Sequence, residues 1–462
     1  MKQRYLSIDQ GFLAVEREQL LDEGRDISAV ATEFDALAQR AADLDADAGL
    51  QARAAALLDA CAELPMRADT PYDEPSDLEG IRRARPTETP DWFITDPGNE
   101  YLFDHVLAAW LGRCAGCLLG KPVEGWRSPA MWGFLKDQGR YPLADFFRSD
   151  APAELYEKHK VSRERAYIDR VTHMPEDDDT NYTVTGLAIM KQRGPGFAPE
   201  DVADFWLQNI PILHTFTAER AAYRNFINLI PPPASATYRN PYREWIGAQI
   251  RADFWGYAAL GNPELAAEYA WRDASISHVK NGIYGEMWVA AMLAAAPYVK
   301  DVEDVIKIGL GEIPTRCRLV EDIQQVIGWY HDGIDSEEAI RRIHARWDEL
   351  SPHHWCHTNS NAQIVALGLL WGQEDYGRAI CTAVQACFDT DCNGATVGSI
   401  FGMMHGTPAL PGRWIDPLND LLDTGIAGYH QVRISEVARE GFAMWQASQQ
   451  IANANSRERI GE

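Results

Sequence analysis

The chain has 462 residues, 46% of them hydrophobic and 24% charged, which gives enough apolar material for a large packed core and excludes a disordered chain. Lysine plus arginine number 43 against 68 aspartate plus glutamate, a formal charge of −25. So acidic a balance repels phosphate backbones and anionic membrane surfaces, so nucleic acid and membranes are excluded as partners; the excess serves solubility, with some carboxylates available to hold cations.

The eight cysteines, Cys61, Cys114, Cys117, Cys317, Cys356, Cys381, Cys387 and Cys392, show no framework spacing and suit reduced thiols. Residues 1–20 mix charges through their apolar positions and do not read as a signal peptide. The longest strongly apolar run, around residues 288–299, is too short to span a bilayer, and a cytoplasmic address is the expectation.

In chain order, residues 34–64 are rich in alanine and leucine with charges at helical spacing, which predicts one or two amphipathic helices. Residues 65–91 turn to proline, aspartate, glutamate and arginine and lose the period, so they read as a loop or linker. Residues 1–96 are therefore expected to be a helical extension joined to a main domain over 97–462. The sequence assigns this segment no task, with a cover for the cleft and a subunit contact as the alternatives, and sets no oligomeric state.

From Tyr101 onward the pattern is helix after helix. Residues 281–298, 318–330, 336–350, 361–371, 376–388 and 435–448 all place apolar side chains at three- and four-residue intervals, several of them behind Asp, Ser or Asn. Period-two alternation bounded by hairpin turns is missing, which predicts an all-α, orthogonal or bundled fold.

Three segments carry chemistry. In residues 111–126 (LGRCAGCLLGKPVEGW) small residues at helical spacing give way to Pro122, so Glu124 is expected on a loop beyond a helix; alone it would be a solvated glutamate. Cys114 and Cys117 form a CxxC without a second pair and read as helix packing.

Residues 176–190 begin Glu176-Asp177-Asp178-Asp179-Thr180 and run into an apolar helix. A run of acids is ordinarily an exposed loop whose last members cap the helix, but these sit at the edge of a core, where successive carboxylates repel and need neutralising. Aspartate and threonine oxygens are also the hard donors that Mg²⁺ and Mn²⁺ select.

Residues 388–400 repeat the arrangement with Asp389-Thr390-Asp391 between apolar helices, followed by Gly394, Gly398, Gly402 and Gly406 every four residues, a spacing that permits close helix approach. If the two acidic turns meet, five carboxylates converge, an arrangement that without a dication is severely unstable, and a two-metal site follows.

Taken in order, GxxxGxxxG…PVEG, DDT and DTD with its small-residue helix resemble the ADP-ribosylglycohydrolase family, which includes the dinitrogenase reductase-activating glycohydrolases. Gly247-Ala248-Gln249-Ile250-Arg251 leading to Ile276-Ser277-His278-Val279-Lys280-Asn281 is similar to its middle helix and Thr-His turn, and Leu410-Pro411-Gly412-Arg413-Trp414 to its late LPxxW. The resemblance runs from about Ala109 to the C-terminal region.

It implies an all-α orthogonal helical bundle of that family's type, with two divalent cations, Mg²⁺ before Mn²⁺, held by Asp177, Asp178, Asp179, Asp389 and Asp391. Glu124 and Asp178 are the implied catalytic carboxylates and His278 the substrate-facing histidine. Asp177 stands where the family usually has Ser or Thr, Cys392 where it has a ligating Thr, and Cys117 where it commonly has Asp, which marks a divergent branch.

The implied activity is hydrolysis of an N- or O-glycosidic bond at the anomeric carbon of a ribose, in an ADP-ribosylated substrate. A small nucleoside-like riboside is the alternative substrate, and a non-catalytic metal-binding relative the alternative role. His353-His354-Trp355-Cys356-His357 reads as a loop rather than a zinc site. Asn361 behind it reads as a helix cap, with substrate contact as its alternative role.

Overall fold

The computed structural model describes residues 3–44, 46–87 and 97–460, the last ten without their side chains. Among them the apolar periodicities become twenty-two α-helices. The expected segments appear as Lys280–Ala295, Arg318–His331, Ser336–Arg346, Thr358–Gly372, Tyr376–Gln385 and Ile434–Ile460. Residues 34–64 contribute Ala31–Ala38 and Ala48–Cys61.

Two local features differ from the sequence reading. The 65–91 stretch contains a short helix, Leu78–Ala84, started by Asp77, whose carboxylate accepts from the Gly80 amide. A small antiparallel pair, Leu421–Asp423 with Gln431–Arg433, also stands among the helices. The joint expected between 1–96 and 97–462 falls on residues 88–96, outside the described residues.

The centre of the fold is the antiparallel packing of Asn99–Gly120 on Thr390–His405. Glycine lets these two backbones touch. A Cβ on Gly112 would lie 2.2 Å from the Gly398 carbonyl oxygen, and one on Gly402 would lie 2.2 Å from that of Ala108. With its next turn, Asn99–Val123 is long and apolar enough to cross a membrane, yet 78% of its most apolar window is buried inside the fold; it is the core helix.

The N-terminal segment is clamped to the rest of the chain by buried ion pairs. Arg243 is held by Glu16 at 2.7 Å and Glu23 at 2.6 Å, and Arg318 by Glu74 at 2.8 Å and Glu244 at 2.7 Å. Tyr72 donates to Glu321 at 2.9 Å.

Candidate active site

The core pair of helices brings two sequence-distant turns to one end. Where Asn99–Gly120 stops, a Cβ on Gly120 would meet the Thr390 carbonyl carbon at 2.3 Å, and the Thr390 hydroxyl donates to the Gly120 carbonyl at 2.9 Å. One 3-10 turn, Lys121–Val123, follows and delivers Glu124. On the partner helix, Cys387 and Phe388 take consecutive left-handed conformations, φ 67° and 61°, immediately before Asp389. Two such residues in a row cost on the order of 1–3 kcal/mol each and occur where the surroundings enforce them.

The third contributor is Asp178–Arg193. Asp177 is its N-cap: one carboxylate oxygen accepts from the Asp179 amide at 3.0 Å, and the other takes Lys121 Nζ at 2.6 Å. Arg113, fully buried, braces the same turn. It donates to the Asp179 carbonyl at 2.8 Å, the Ile250 carbonyl at 2.6 Å and Thr183 Oγ1 at 2.7 Å, and pairs with Asp253 at 2.7 Å.

These pieces enclose a cavity of about 330 Å³ lined by Glu124, Asp177, Asp178, Asp389, Asp391 and Cys392. Asp177, Asp389 and Asp391 are buried, whereas Glu124 and Asp178 keep partial exposure. Asp179 is fully buried and faces Arg113 at 3.3 Å.

The electrostatics follow from crowding. Burial, reinforced by neighbouring carboxylates, pushes Asp178, Asp179 and Asp391 well above the usual range. Burial, then Asp389 and Asp177, raises Glu124 to about 7. Burial also opposes ionisation of Asp177, but the Lys121 ammonium outweighs it and holds this carboxyl below its usual value.

The residues fit divalent cations. Asp177 and Asp179 lie with Cys117, and Asp389 and Asp391 with Cys392, in two groups whose donor atoms are within 4.8 Å of one another. One oxygen each of Asp179 and Asp391 is buried without a hydrogen-bond partner. Lys121 and Arg113 are too few to balance six carboxylates, and carboxylate oxygens are hard donors.

Two named residues stand behind the cavity rather than on its lining. His278 is buried, its Nδ1 2.8 Å from the Ser277 hydroxyl, and burial followed by Arg251 drives it well below its usual value. Asn361 is buried one turn inside Thr358–Gly372, whose N-cap is His357. Its Oδ1 accepts from the Asp389 amide at 3.1 Å and Asn393 Nδ2 at 2.8 Å, so it holds the DTD turn.

The His353–His357 stretch packs as hydrogen-bonded rings. Asp22, His353 and His357 have ligand atoms within 4.8 Å, but both Nδ1 atoms already accept hydrogens, from Trp245 Nε1 at 3.0 Å and the Asn359 amide at 3.1 Å. Both Nε2 atoms therefore carry the proton and offer no lone pair to a metal.

Several lining residues have no local signature. Tyr5, Leu213, Phe216, Ile246 and Trp355 give the cavity an apolar and aromatic surface, and Glu219 adds a buried carboxylate paired with Arg251 at 2.9 Å. Burial, opposed by Arg251, raises Glu219 to about 7. Tyr5 has φ 67° and packs edge-on against Tyr242 at 5.3 Å. Lys121, three residues before Glu124, has no signature of its own, and its 2.6 Å distance to Asp177 reveals its part.

The family model described as ADP-ribosylglycohydrolase matches residues 98–450. A solved structure titled "ADP-ribosylglycohydrolase-related protein complex" is similar over 75% of this chain and 99% of its own, at 20% identity and a TM-score of 0.45. No curated protein matches the sequence.

Proposed function

The chain belongs to the ADP-ribosylglycohydrolase family, a family of glycohydrolases, and from that premise we propose that it is a metal-dependent hydrolase of the bond between a ribose anomeric carbon and its leaving group in an ADP-ribose-type substrate. The observation that carries this reading is the convergence of Asp177 and Asp178 with Asp389 and Asp391, more than 200 positions apart, around one cavity with Glu124.

Asp177, Asp178, Asp179, Asp389 and Asp391 are the proposed holders of two divalent cations, Mg²⁺ or Mn²⁺. Bound there, such ions supply neutralisation of the carboxylates and polarisation of substrate hydroxyls and water. Glu124 and Asp178, both partly exposed, are the proposed acceptors of the proton from the water that attacks the anomeric carbon. The remaining carboxylates stabilise the oxocarbenium-like charge that develops there. Tyr5, Phe216 and Trp355 provide apolar contact for the rest of the substrate and exclude water.

A second reading, a small nucleoside-like riboside as substrate, is favoured by one feature: Tyr5, from the N-terminal segment, is part of the cavity wall and narrows the room for a protein-borne group. Incubation with ADP-ribosylated arginine and with simple nucleosides, each with Mg²⁺ and Mn²⁺, tests both. Release of the sugar from the first supports the ADP-ribose reading and release from nucleosides alone supports the second. No turnover of either sinks the hydrolase assignment.

A further inference from the structure

Cys392 stands in the first turn of Thr390–His405, between the two acidic turns. Its thiol groups with Asp389 and Asp391 on its own turn and feels the charges of Asp179 and Asp178 on the other. It lines the cavity, is 5% exposed, and has its sulfur within 4.8 Å of the donor atoms of Asp389 and Asp391. Asp391 Oδ1, in the same group, is buried without a partner.

A thiol placed only as packing would be expected among apolar groups, as Cys114 and Cys381 are along their helices. Cys392 instead faces carboxylates from both turns, where a sulfur gains little from apolar contact and adds no charge balance while protonated.

We infer that Cys392 is a metal ligand, so that the Asp389–Asp391 position is a mixed oxygen–sulfur site selecting a borderline divalent cation such as Zn²⁺, Co²⁺ or Fe²⁺ over Mg²⁺. The inference rests on the reading of the acidic cluster as a metal centre. Binding replaces the Cys392 S–H bond by a sulfur–metal bond and releases one proton to solvent; no electron is transferred. Thiolate sulfur favours the softer members of the divalent series, whereas an all-carboxylate set favours Mg²⁺ and Mn²⁺.

Two other thiols flank the centre and serve as controls. Cys117 groups with Asp177 and Asp179 but is not on the cavity lining, and Cys356 donates to Asp389 Oδ2 at 3.5 Å from a neighbouring segment.

Titration of the full-length, metal-free protein with Co²⁺ is followed by the thiolate-to-cobalt charge-transfer band in the near ultraviolet, and total binding by calorimetry with Co²⁺, Mg²⁺ and Mn²⁺. The expected result is a charge-transfer band that Cys392→Ser abolishes while Cys117→Ser and Cys356→Ser retain it. A large excess of Mg²⁺ is expected to leave the band in place.

Cobalt binding without a band overturns the inference but leaves the metal centre standing, as does a band that survives Cys392→Ser. Absence of binding by any of the three cations overturns both. A far-ultraviolet spectrum of Cys392→Ser superimposable on the parent, with calorimetric binding of Mn²⁺ preserved, separates loss of the ligand from loss of the fold.

Discussion

Gly116 and Gly394 meet backbone to backbone: a Cβ on Gly116 would lie 2.0 Å from the Gly394 carbonyl oxygen, and one on Gly394 would lie 2.4 Å from that of Gly116. Neither carbonyl can move aside without opening its own helix. Gly116→Ala is therefore expected to separate the two central helices and destabilise the protein by about 1–3 kcal/mol or more, the usual cost of overpacking. Because these helices carry Glu124 and Asp389, the same variant should also lose divalent-cation affinity. Urea unfolding and cation titration check both; an unchanged midpoint would show that the helices do not need this approach.

Asp391 has a buried oxygen without a partner in a cluster of acids. Asp391→Asn is expected to leave the metal-free protein at least as stable as the parent, since one source of repulsion is removed. It should also shrink the rise in melting temperature that saturating Mn²⁺ produces. A cation at a hundred times its Kd stabilises by about 2.7 kcal/mol, and that increment is the quantity to compare. Turnover of a riboside substrate should fall by orders of magnitude.

Arg113 is enclosed with five acceptors, among them Asp179 and Asp253. Replacing it by methionine leaves the Asp253 carboxylate buried and unpaired, which is expected to cost about 3–5 kcal/mol. Chemical denaturation of Arg113→Met, and of the double variant Arg113→Met with Asp253→Leu, measures it; the double change should recover much of the loss.

His357 is fully buried, and burial, aided by His353 and opposed by Glu244, lowers it to about 4. The folded state thus prefers the neutral ring more strongly than the unfolded chain does, where the value is about 6.5. This contribution is intact above about pH 6.5 and is lost as pH falls towards 4, because the unfolded state binds the proton first. The full difference amounts to about 3 kcal/mol. Between pH 7 and 5, His357→Asn should lose less unfolding free energy than the parent. Parallel curves for the two proteins would show that another group governs that range.

Tyr5 belongs to the cavity wall yet lies outside the portion of chain that the family model matches. Tyr5→Ala is expected to raise KM several-fold with kcat little changed, and Tyr5→Phe to restore most of the loss, since the ring rather than the hydroxyl faces Tyr242. A fall in kcat at constant KM would place Tyr5 in the chemistry instead.

Much of this site could be read from residue order because its parts are local. Asp177–Asp179 and Asp389–Asp391 each precede an apolar helix, and glycines four apart announce a helix that must be approached closely. Glu124 follows a proline that ends a helix. The reading ran out where contacts are long-range. Tyr5, Phe216 and Glu219 sit in stretches with no pattern of their own, and only folding brings them to the cavity.

The sequence patterns around His278 and Asn361 place them near the cavity, and burial sets both one layer behind its lining. Asn361 holds the Asp389 amide, while His278 packs near Arg251. The helix Leu78–Ala84 escaped because seven residues with one cap give too short a period to detect.

The clamps on the N-terminal segment also govern when the cavity can close during synthesis. Asp22 finds His353, at 3.1 Å, only after 331 further residues have been added, and Glu18 waits 333 for Ser351. At a ribosomal pace of about 5–20 residues per second that is a delay of roughly 15–65 s. The same helix, Gln10–Asp22, meets Arg243 and Tyr242 earlier, through Glu16 and Phe12, so its two ends are fixed at different stages. A segment made hundreds of residues before its partners is thus among the last to reach its place.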